Sequence, residues 1–409
     1  MQKKFKYLIL FTSLLANYSG MSQVYSLDSI LLKIENNNPS ILKFNYEMKA
    51  LDTYAKGAKN WDAPQIGTGL FMMPYSFKNG GSYMLSTQQM FPNSKKLKAK
   101  TNYMKGMSSI KLEKQNVTKI QLITQAKTIY YQWLILKKKQ KVLVGNENIL
   151  NALIKSLELE YSYGKGKLSS IYKAKANLAQ LENTKLIIKN DIQQKNIALN
   201  TLMNQNKETI FDIDTSYTIN NYEITNIDSA VLNSIRSDMK LLDNSIQLVK
   251  LNQEFQRSKR KPDFGVRYDN MLGIKSHMFA FNLMGMITIP IVPWSSREVK
   301  ANLTAMDFEI KGFEVEKNSI VNEVTVKFQL IKTKITNKKQ QLSLFEKNII
   351  PALENNYKIS LATYKENNEE LFMVLDALQT LKMTQIEYLN QLMELLLLQV
   401  EYENEMQIK

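Results

Sequence analysis

Apolar residues recur at three- and four-residue spacing over two very long stretches, Ser94 to Leu159 and Ser295 to Leu361, with Lys, Gln, Asn and Glu between them. This period predicts helices of about 65 residues, and at ~1.5 Å per residue each would reach roughly 100 Å. A globular core does not need helices of this length. The pattern is typical of antiparallel coiled-coil hairpins, in which each long helix turns back into another.

Two pairs of β-strands are predicted where apolar side chains alternate with polar ones. The first pair spans Gln65 to Tyr75 and Ser82 to Phe91, joined by a turn at Lys78-Asn79-Gly80-Gly81. The second pair spans Asp263 to Leu272 and His277 to Ile291. On the last strand, one face carries Phe279, Phe281, Leu283, Ile287 and Ile289, and the other carries Ala280, Asn282 and Thr288. This division suits a wall with lipid on one side and water on the other.

Three matched segments indicate that the chain is duplicated. Residues 261–266 (KPDFGV) match residues 63–68 (APQIGT), and residues 288–293 (TIPIVP) match residues 87–92 (TQQMFP). A third match aligns Tyr161, Gly164, Leu168, Ile171 and Ala174 with Tyr364, Asn367, Leu371, Val374 and Ala377. The matches keep the same order at an offset of about 200 residues, which indicates a tandem repeat.

The duplication sets the predicted domain boundaries. Residues 23–203 form the first repeat and residues 227–409 the second, each with a helix, two strands and a long helical hairpin. In the first repeat the opening helix runs from about Leu27 to Asn60, and we expect an interruption near Pro39 because proline breaks the helical hydrogen bonding. Residues 204–226 are rich in Asn and Thr and have little helical period. We expect them to form a connector across the middle of a helical barrel.

The first 22 residues have the composition of a secretory signal peptide. Lys3 to Lys6 is basic, Tyr7 to Ala16 is apolar, and Gly20-Met21-Ser22 has the small residues of a cleavage site. We expect the mature chain to begin near Gln23. The apolar run has about ten residues against the ~20 that a helix needs to cross a bilayer, and no later run is longer, so helical membrane spans are excluded.

Composition excludes several classes of chemistry. The chain has no cysteine, so it has neither disulfides nor the thiol that accepts a lipid anchor. Its formal net charge is +16, but Lys and Glu are dispersed along helical faces, so no nucleic-acid partner is expected. His277 is the only histidine, which excludes His-based metal clusters and His-dependent triads. With no catalytic signature among the carboxylates, neither an enzyme nor a cofactor is predicted.

The predicted strands require more than one copy of the chain. Four strands cannot close a barrel, because an open sheet edge leaves unpaired backbone groups in lipid. Two, three or four copies would share a barrel of eight, twelve or sixteen strands. An eight-stranded barrel is nearly filled by its own side chains, so a conducting pore favours three or more copies.

Several motifs, taken together, resemble the TolC-type outer-membrane efflux family. They are the export signal, the duplication, Pro262-Asp263-Phe264-Gly265 before a strand, residues 288–294 (TIPIVPW) followed by Arg297, and Tyr364 followed by Leu371, Asp376 and Ala377. The resemblance covers nearly all of the mature chain.

Membership would imply an α+β membrane protein that is a homotrimer in the bacterial outer membrane. Four strands from each subunit would make a twelve-stranded β-barrel, continued into the periplasm by a long α-helical coiled-coil barrel. The implied function is the passive exit duct of a tripartite efflux system. Its partners would be outer-membrane lipid, a periplasmic adaptor (membrane fusion) protein and an inner-membrane transporter of the resistance-nodulation-division (RND) or ABC class.

The resemblance places functional residues at the turns between the long helices, where adaptor contact and gating are located. In the first turn, Tyr161, Gly164 and Gly166 match the Tyr-x-x-Gly pattern of the family. In the second, Tyr364 is kept but Asn367 replaces the glycine, and asparagine tolerates left-handed geometry less readily than glycine. Both tyrosines also fit a role in packing the turns.

Asp376 falls where some family members carry an acidic residue that faces the tunnel. Three symmetry-related copies would form an anionic ring that favours cations. Another acidic position of those members is Met373 here, and Glu369 and Glu370 are candidates to replace that charge. The alternative is that all three carboxylates are ordinary solvated helix residues.

Six methionines cluster around the first strand pair: Met72, Met73, Met84, Met90, Met104 and Met107. Thioethers are soft ligands that suit Cu(I) or Ag(I), and the stretch from Met73 to Asn93 resembles the outer-membrane subunits of heavy-metal efflux systems. Methionine also serves as adaptable packing and lipid-facing bulk. Heavy-metal export and drug export are therefore both open, and no metal site is assigned.

Two alternative functions share parts of this pattern. Type I protein secretion would use a similar outer-membrane duct with an ABC exporter. A periplasmic coiled-coil adaptor also has long hairpins and an export signal, but it lacks this duplication and the paired strands. A helical repeat scaffold would repeat every ~20 to 50 residues rather than every 200 or so.

Overall fold

The predicted helices are present in the computed structural model, which describes residues 24–73, 80–220, 232, 234–366 and 370–407. They are α1 (Leu27–Asn37), α2 (Pro39–Gly57), α3 (Ser94–Ser162), α4 (Leu168–Leu202), α5 (Ser237–Ser258), α6 (Pro293–Leu344), α7 (Ile350–Lys365) and α8 (Leu371–Met406). The predicted break near Pro39 is confirmed at Asn38, which is extended because a residue before proline avoids the helical region. The predicted signal peptide, residues 1–22, lies outside the described residues. Within the described ranges, no helix has an apolar stretch long enough to cross a bilayer.

A π-helical turn, Phe345–Ile349, separates α6 from α7. Pro351 lies two residues after its end and has no backbone N–H, so the carbonyl one turn earlier loses its regular helical partner. Tyr388 of α8 contacts this turn, since its hydroxyl donates a 2.6 Å hydrogen bond to Glu346 Oε1. The single helix predicted from Ser295 to Leu361 is therefore two helices, interrupted where the sequence places a proline.

The strands are β1 (Val24–Tyr25), β2 (Gln65–Phe71), β3 (Ser82–Phe91), β4 (Asp212–Ile213), β5 (Phe264–Gly273) and β6 (Phe279–Ile287). The four long strands form one antiparallel sheet in the order β2, β3, β5, β6, so the two hairpins pair through β3 and β5. In register, Phe91 lies opposite Phe264, and Tyr268 lies opposite Leu283.

Two predicted strands are shorter than expected. β2 ends at Phe71 because Met72 has a φ of +52°, and Tyr75 and the turn residues Lys78 and Asn79 lie outside the described residues. β6 ends at Ile287 rather than Ile291, since Pro290 has no N–H to donate to a sheet ladder. It also begins later than predicted, because His277 adopts a φ of +51° in the turn.

The two faces of the four-stranded sheet have different chemistry. The apolar face is solvent-exposed in the single chain and carries Ile66, Leu70, Tyr83, Leu85, Phe264, Val266, Tyr268, Phe279, Phe281, Leu283 and Ile287. The polar face carries Gln65, Ser86, Gln88, Arg267, Asp269 and Asn282, together with five methionines. On this face Arg267 Nε lies 2.8 Å from the buried carboxylate of Asp269. The alternation predicted for the last strand is confirmed from Phe279 to Ile287, whereas Thr288 and Ile289 lie after the end of β6.

The connector after α4 is held by buried amides and aromatic rings. Asn200 Nδ2 donates a 2.7 Å hydrogen bond to the carbonyl of Thr209. This bond satisfies a backbone carbonyl that has no partner from regular secondary structure. The ring of Phe211 lies 5.2 Å from Trp133 and 4.9 Å from Tyr25, measured between centroids. β4 of the connector pairs with β1 in parallel, a two-stranded sheet that the sequence pattern did not predict. Residues 221–226 of the predicted connector lie outside the described residues.

The chain forms two compact units. The hairpin unit contains the described residues of Met1–Ile41, Thr118–Asn226 and Val324–Lys409, and with them both turns between long helices. The sheet unit contains the described residues of Leu42–Val117 and Ile227–Glu323, and with them the four-stranded sheet. Each unit therefore combines segments from both halves of the chain.

Candidate functional site at the helical turns

The first turn between long helices needs glycine at two positions. Gly164 has a φ of +72°, a left-handed conformation that glycine adopts without steric cost. Its N–H donates a 3.0 Å hydrogen bond to the carbonyl of Tyr161. The N–H of Lys165 donates a 2.9 Å bond to the carbonyl of Glu160, so these end carbonyls of α3 are satisfied. At Gly166 a Cβ atom would lie only 3.0 Å from the backbone nitrogen of Tyr161, so a side chain there would require the backbone of the turn to shift.

The second turn lies between α7 and α8. Asn367 and Glu369, two of its predicted site residues, lie outside the described residues, so the prediction of a turn at Asn367 stays a prediction. Glu370 is exposed and its backbone is extended. Its carbonyl accepts a 3.0 Å hydrogen bond from the N–H of Met373, which begins α8.

A hydrogen bond joins the ends of the two hairpins. The Tyr364 hydroxyl donates to Glu160 Oε2 over 2.8 Å. Tyr364 is half-buried against the hydrophobic core of the hairpin unit, and this burial together with the Glu160 carboxylate raises the pKa of Tyr364 to about 12. Tyr161, its counterpart in the first repeat, is 47% exposed. The repeat therefore predicted that Tyr364 lies at a turn, but it did not predict that Glu160 is its hydrogen-bond partner. The available signal was that Glu160 directly precedes Tyr161, the counterpart of Tyr364 in the first repeat.

Side chains from both repeats form the core beneath the turns. It contains Ile171, Ala174 and Leu181 of α4 and Leu371, Leu375 and Leu378 of α8. At its edge the Lys173 ammonium lies 4.1 Å from the ring centroid of Phe372, a cation–π contact. Because α4 and α8 share this core, the helices that follow the two turns pack against each other.

Asp376 lies on the exposed side of α8. Leu375 and Ala377, its sequence neighbours, are buried in the hairpin unit, whereas Phe372, one turn earlier, is exposed beside it. Glu370 does not have the three- or four-residue spacing from Asp376 that would place both carboxylates on one helix face. Within one chain, the structure does not bring these two predicted gate residues together.

The predicted methionine cluster is divided among three places. The polar face of the sheet holds Met84 and Met90, the segment after β2 holds Met72 and Met73, and α3 holds Met104 and Met107. Three methionines of the second hairpin also lie on the polar face: Met271, Met284 and Met286. The sequence-based prediction missed them because strand register, not position along the chain, brings them there. Within the described residues, no group of three or more His, Cys, Asp or Glu side chains is placed to hold a metal ion.

The KPDFGV motif has a structural role at the start of β5. Asp263 accepts a 2.8 Å hydrogen bond from the N–H of Asn93 and lies 2.5 Å from the ammonium of Lys96. Its own N–H donates a 2.9 Å bond to the hydroxyl of Thr288. These contacts connect the start of β5 to the segment after β3 and to the segment after β6, which explains why the motif includes an aspartate.

One protein family matches the chain in sequence. The family described as outer membrane efflux protein matches residues 31–205. No curated protein matches the chain.

Several solved structures have this fold. CusC, whose structures concern folding and transmembrane channel formation, has a TM-score of 0.73 and 13% identity, and the match covers 96% of this chain and 94% of CusC. The outer-membrane protein VceC from Vibrio cholerae has a TM-score of 0.69 and 16% identity, with 93% and 95% covered. The open state of the outer-membrane channel MtrE from Neisseria gonorrhoeae has a TM-score of 0.72 and 12% identity, with 93% and 88% covered. At such identities the likeness shows the fold.

Proposed function

We propose that the chain is an outer-membrane protein of the outer membrane efflux protein family, whose model matches residues 31–205, and that three copies form one exit channel for a tripartite efflux system. The channel has a β-barrel in the membrane and an α-helical barrel in the periplasm. The observation that carries this proposal is the exposed apolar face of the sheet. In the single chain Phe279 is 78% exposed and Phe281 is 73% exposed. An aromatic and aliphatic face of this kind is stable against lipid, while the polar face lines a water-filled interior.

The free edges of the sheet support a shared barrel. Within the part of the chain that the structure describes, β2 pairs only with β3 and β6 pairs only with β5, so each outer strand has an unpaired edge in the single chain. An unpaired edge cannot remain in lipid, because its backbone N–H and C=O groups would lose their hydrogen bonds. We propose that β6 of one copy pairs with β2 of the next, so that three copies close twelve strands.

Exposed apolar residues on α6 support the same assembly. In the hairpin unit, Val326, Leu330 and Leu344 are exposed, and in the sheet unit Phe308 and Val315 are exposed. A long helix with uncovered apolar side chains is typical of one that packs against a neighbour. The neighbour we propose is the adjacent copy in the trimer.

The turns between the long helices are the proposed docking site for a periplasmic adaptor protein. The proposed contact residues of the first turn are Tyr161, Gly164 and Gly166. Those of the second turn are Tyr364 and Asn367. The adaptor would connect the channel to an inner-membrane RND or ABC transporter. The proposed cargo is a heavy-metal ion or a drug-sized molecule that this transporter delivers.

Asp376 is the proposed gate residue, with Glu369 and Glu370 as further candidates. Asp376 is exposed in the single chain, and Phe372 beside it is also exposed. In a closed trimer this side of α8 would face the axis, where three carboxylates would attract cations and retard anions.

The test is single-channel recording in planar bilayers with the detergent-purified protein. We expect heat-sensitive trimers on gels and discrete conductance with cation preference. Asp376→Asn should reduce the cation preference, whereas the matched control Glu182→Gln, at an exposed position of α4, should leave it unchanged. Cation preference that is equal in wild type and Asp376→Asn would remove the gate role and keep the channel. A monomer that needs no detergent would overturn the proposed function.

A further inference from the structure

All five methionines in the four long strands lie on the same face of the sheet. The strand register places Met84, Met90, Met271, Met284 and Met286 on the polar face, beside Arg267, Asp269 and Asn282, and none on the apolar face. Methionine used as lipid-facing bulk would be on the apolar face. These methionines are therefore on the side that faces water under the proposed function.

Four of the five methionines form two pairs, one between the neighbouring strands β3 and β5 and one between β3 and β6 across the intervening strand β5. Met84 and Met271 are direct register partners on β3 and β5. Met90 and Met286 lie on either side of Gly265, at the other end of the sheet. Met84 and Met271 are directly opposed, so their Cβ atoms are about 5 Å apart, close enough for two long thioethers to share one ion. Met90 and Met286 are separated by the width of β5, and they approach each other only because both side chains extend over Gly265.

The second pair depends on the absence of a side chain at Gly265. A Cβ atom at Gly265 would lie 2.3 Å from Met90 Sδ and 3.2 Å from Met286 Cε, so both side chains lie over the glycine. The central strand has no side chain at this point, and the sulfur of Met90 occupies the free space. The KPDFGV motif thus provides both the aspartate at the start of β5 and the space for two methionines.

The surroundings of these pairs select the kind of ion. Thioether sulfur is a soft ligand that prefers Cu(I) and similar ions, whereas carboxylate and imidazole suit harder or borderline ions. The carboxylate of Asp269 on this face is already paired with Arg267, whose Nε lies 2.8 Å away. This ion pair also offsets the positive charge of Arg267. Among the described residues, neither pair lies in a group of His, Cys, Asp or Glu side chains that would hold Zn²⁺ or Mg²⁺.

We infer that the Met84–Met271 and Met90–Met286 pairs bind a soft monovalent cation, Cu(I) or Ag(I), on the water-facing wall of the channel. This inference rests on the proposed function for its view of which face meets water. Two weak sites along the wall suit passage, because an ion in transit must bind well enough to enter and weakly enough to leave. The cargo class that follows is soft metal ions.

The test is calorimetric titration of detergent-purified trimers with Ag(I) in chloride-free buffer. The variants are Met90→Leu/Met286→Leu, Met84→Leu/Met271→Leu and all four together, because leucine keeps the volume and removes the thioether. The control is Met373→Leu/Met383→Leu, since both of these α8 methionines are exposed outside the sheet. Heat-sensitive trimer migration checks that every variant is assembled.

We expect each double variant to lose part of the Ag(I) binding and the quadruple variant to bind about tenfold more weakly or worse, a loss of at least ~1.4 kcal/mol. The control should bind as wild type does, and Zn²⁺ should not bind at the pairs. Equal Ag(I) binding by wild type and the assembled quadruple variant would overturn the inference. The assembly state of the wild type decides the proposed function separately, since Ag(I) binding by a monomer that needs no detergent would keep the methionine sites and overturn the channel.

Discussion

The hydroxyl of Tyr364 donates a 2.8 Å hydrogen bond to Glu160 Oε2, and this bond joins the end of α7 to the end of α3. If the closed state of the channel depends on holding these ends together, Tyr364→Phe should favour the open state. A hydrogen bond to a charged group contributes about 1.5 to 3 kcal/mol. We therefore expect more frequent or longer openings in single-channel recordings, with trimers still formed.

The matched control for this substitution is Tyr163→Phe. Tyr163 lies in the first turn, three residues after Glu160, but is 74% exposed, so loss of its hydroxyl should leave the openings unchanged. If Tyr364→Phe and Tyr163→Phe gave the same recordings as wild type, the bond to Glu160 would have no part in gating.

High pH should release the same contact. Burial and the Glu160 carboxylate raise the pKa of Tyr364 from 10 to about 12, so the folded protein favours the neutral phenol. For a group with a raised folded-state pKa, the stabilising contribution is complete below pH ~10 and is lost as the pH rises through ~12. Openings should therefore increase over this range, because the ionised phenolate cannot donate a hydrogen bond and repels Glu160.

Recordings of Tyr364→Phe over the same pH range provide the comparison. The variant has no phenol to ionise at this position, so its openings should vary less between pH ~10 and ~12 than those of wild type. An equal rise in both proteins would assign the pH response to other groups.

The two glycines of the first turn should be sensitive for different reasons. Gly164→Ala forces a left-handed backbone on a side chain and should cost about 1 to 2 kcal/mol. Gly166→Ala places a Cβ atom 3.0 Å from the backbone nitrogen of Tyr161 and should change the shape of the turn. Adaptor binding by surface plasmon resonance should weaken in both.

Gly145→Ala is the control for these glycine substitutions. Gly145 lies inside α3, and an added Cβ atom would meet nothing within 4 Å. Alanine in a helix interior is favoured over glycine by roughly 0.5 to 1 kcal/mol, so thermal stability should rise slightly and adaptor binding should stay the same. Adaptor binding unchanged in Gly166→Ala would argue against docking at this turn.

The sequence predicted the helices and strands that have a regular apolar spacing. It did not predict which residues contact each other when they are distant along the chain. The apolar spacing placed the start of α3 at Ser94 and β3 at Ser82–Phe91, because helices and strands with an exposed face carry a clear period. The pairing of β1 with β4 was missed, since two-residue strands have no period to detect. The Tyr364 contact with Glu160 depends on how two hairpins pack, which local spacing does not encode.

A buried ion pair in the hairpin unit should be more important for stability than any exposed one. Lys127 Nζ lies 2.6 Å from Glu403 Oε2, with side chains only 8% and 15% exposed. Glu403→Gln would leave a buried ammonium without its counter-charge and should cost about 3 to 5 kcal/mol, measured by thermal unfolding in far-UV circular dichroism. The exposed pair Lys175 and Glu158, 2.8 Å apart, gives the control, and Glu158→Gln should have far less effect. Replacing Lys127 and Glu403 together by Met and Leu should restore most of the loss, because it removes both charges from the interior. If the double substitution were as unstable as Glu403→Gln alone, the loss would come from packing rather than from an uncompensated charge.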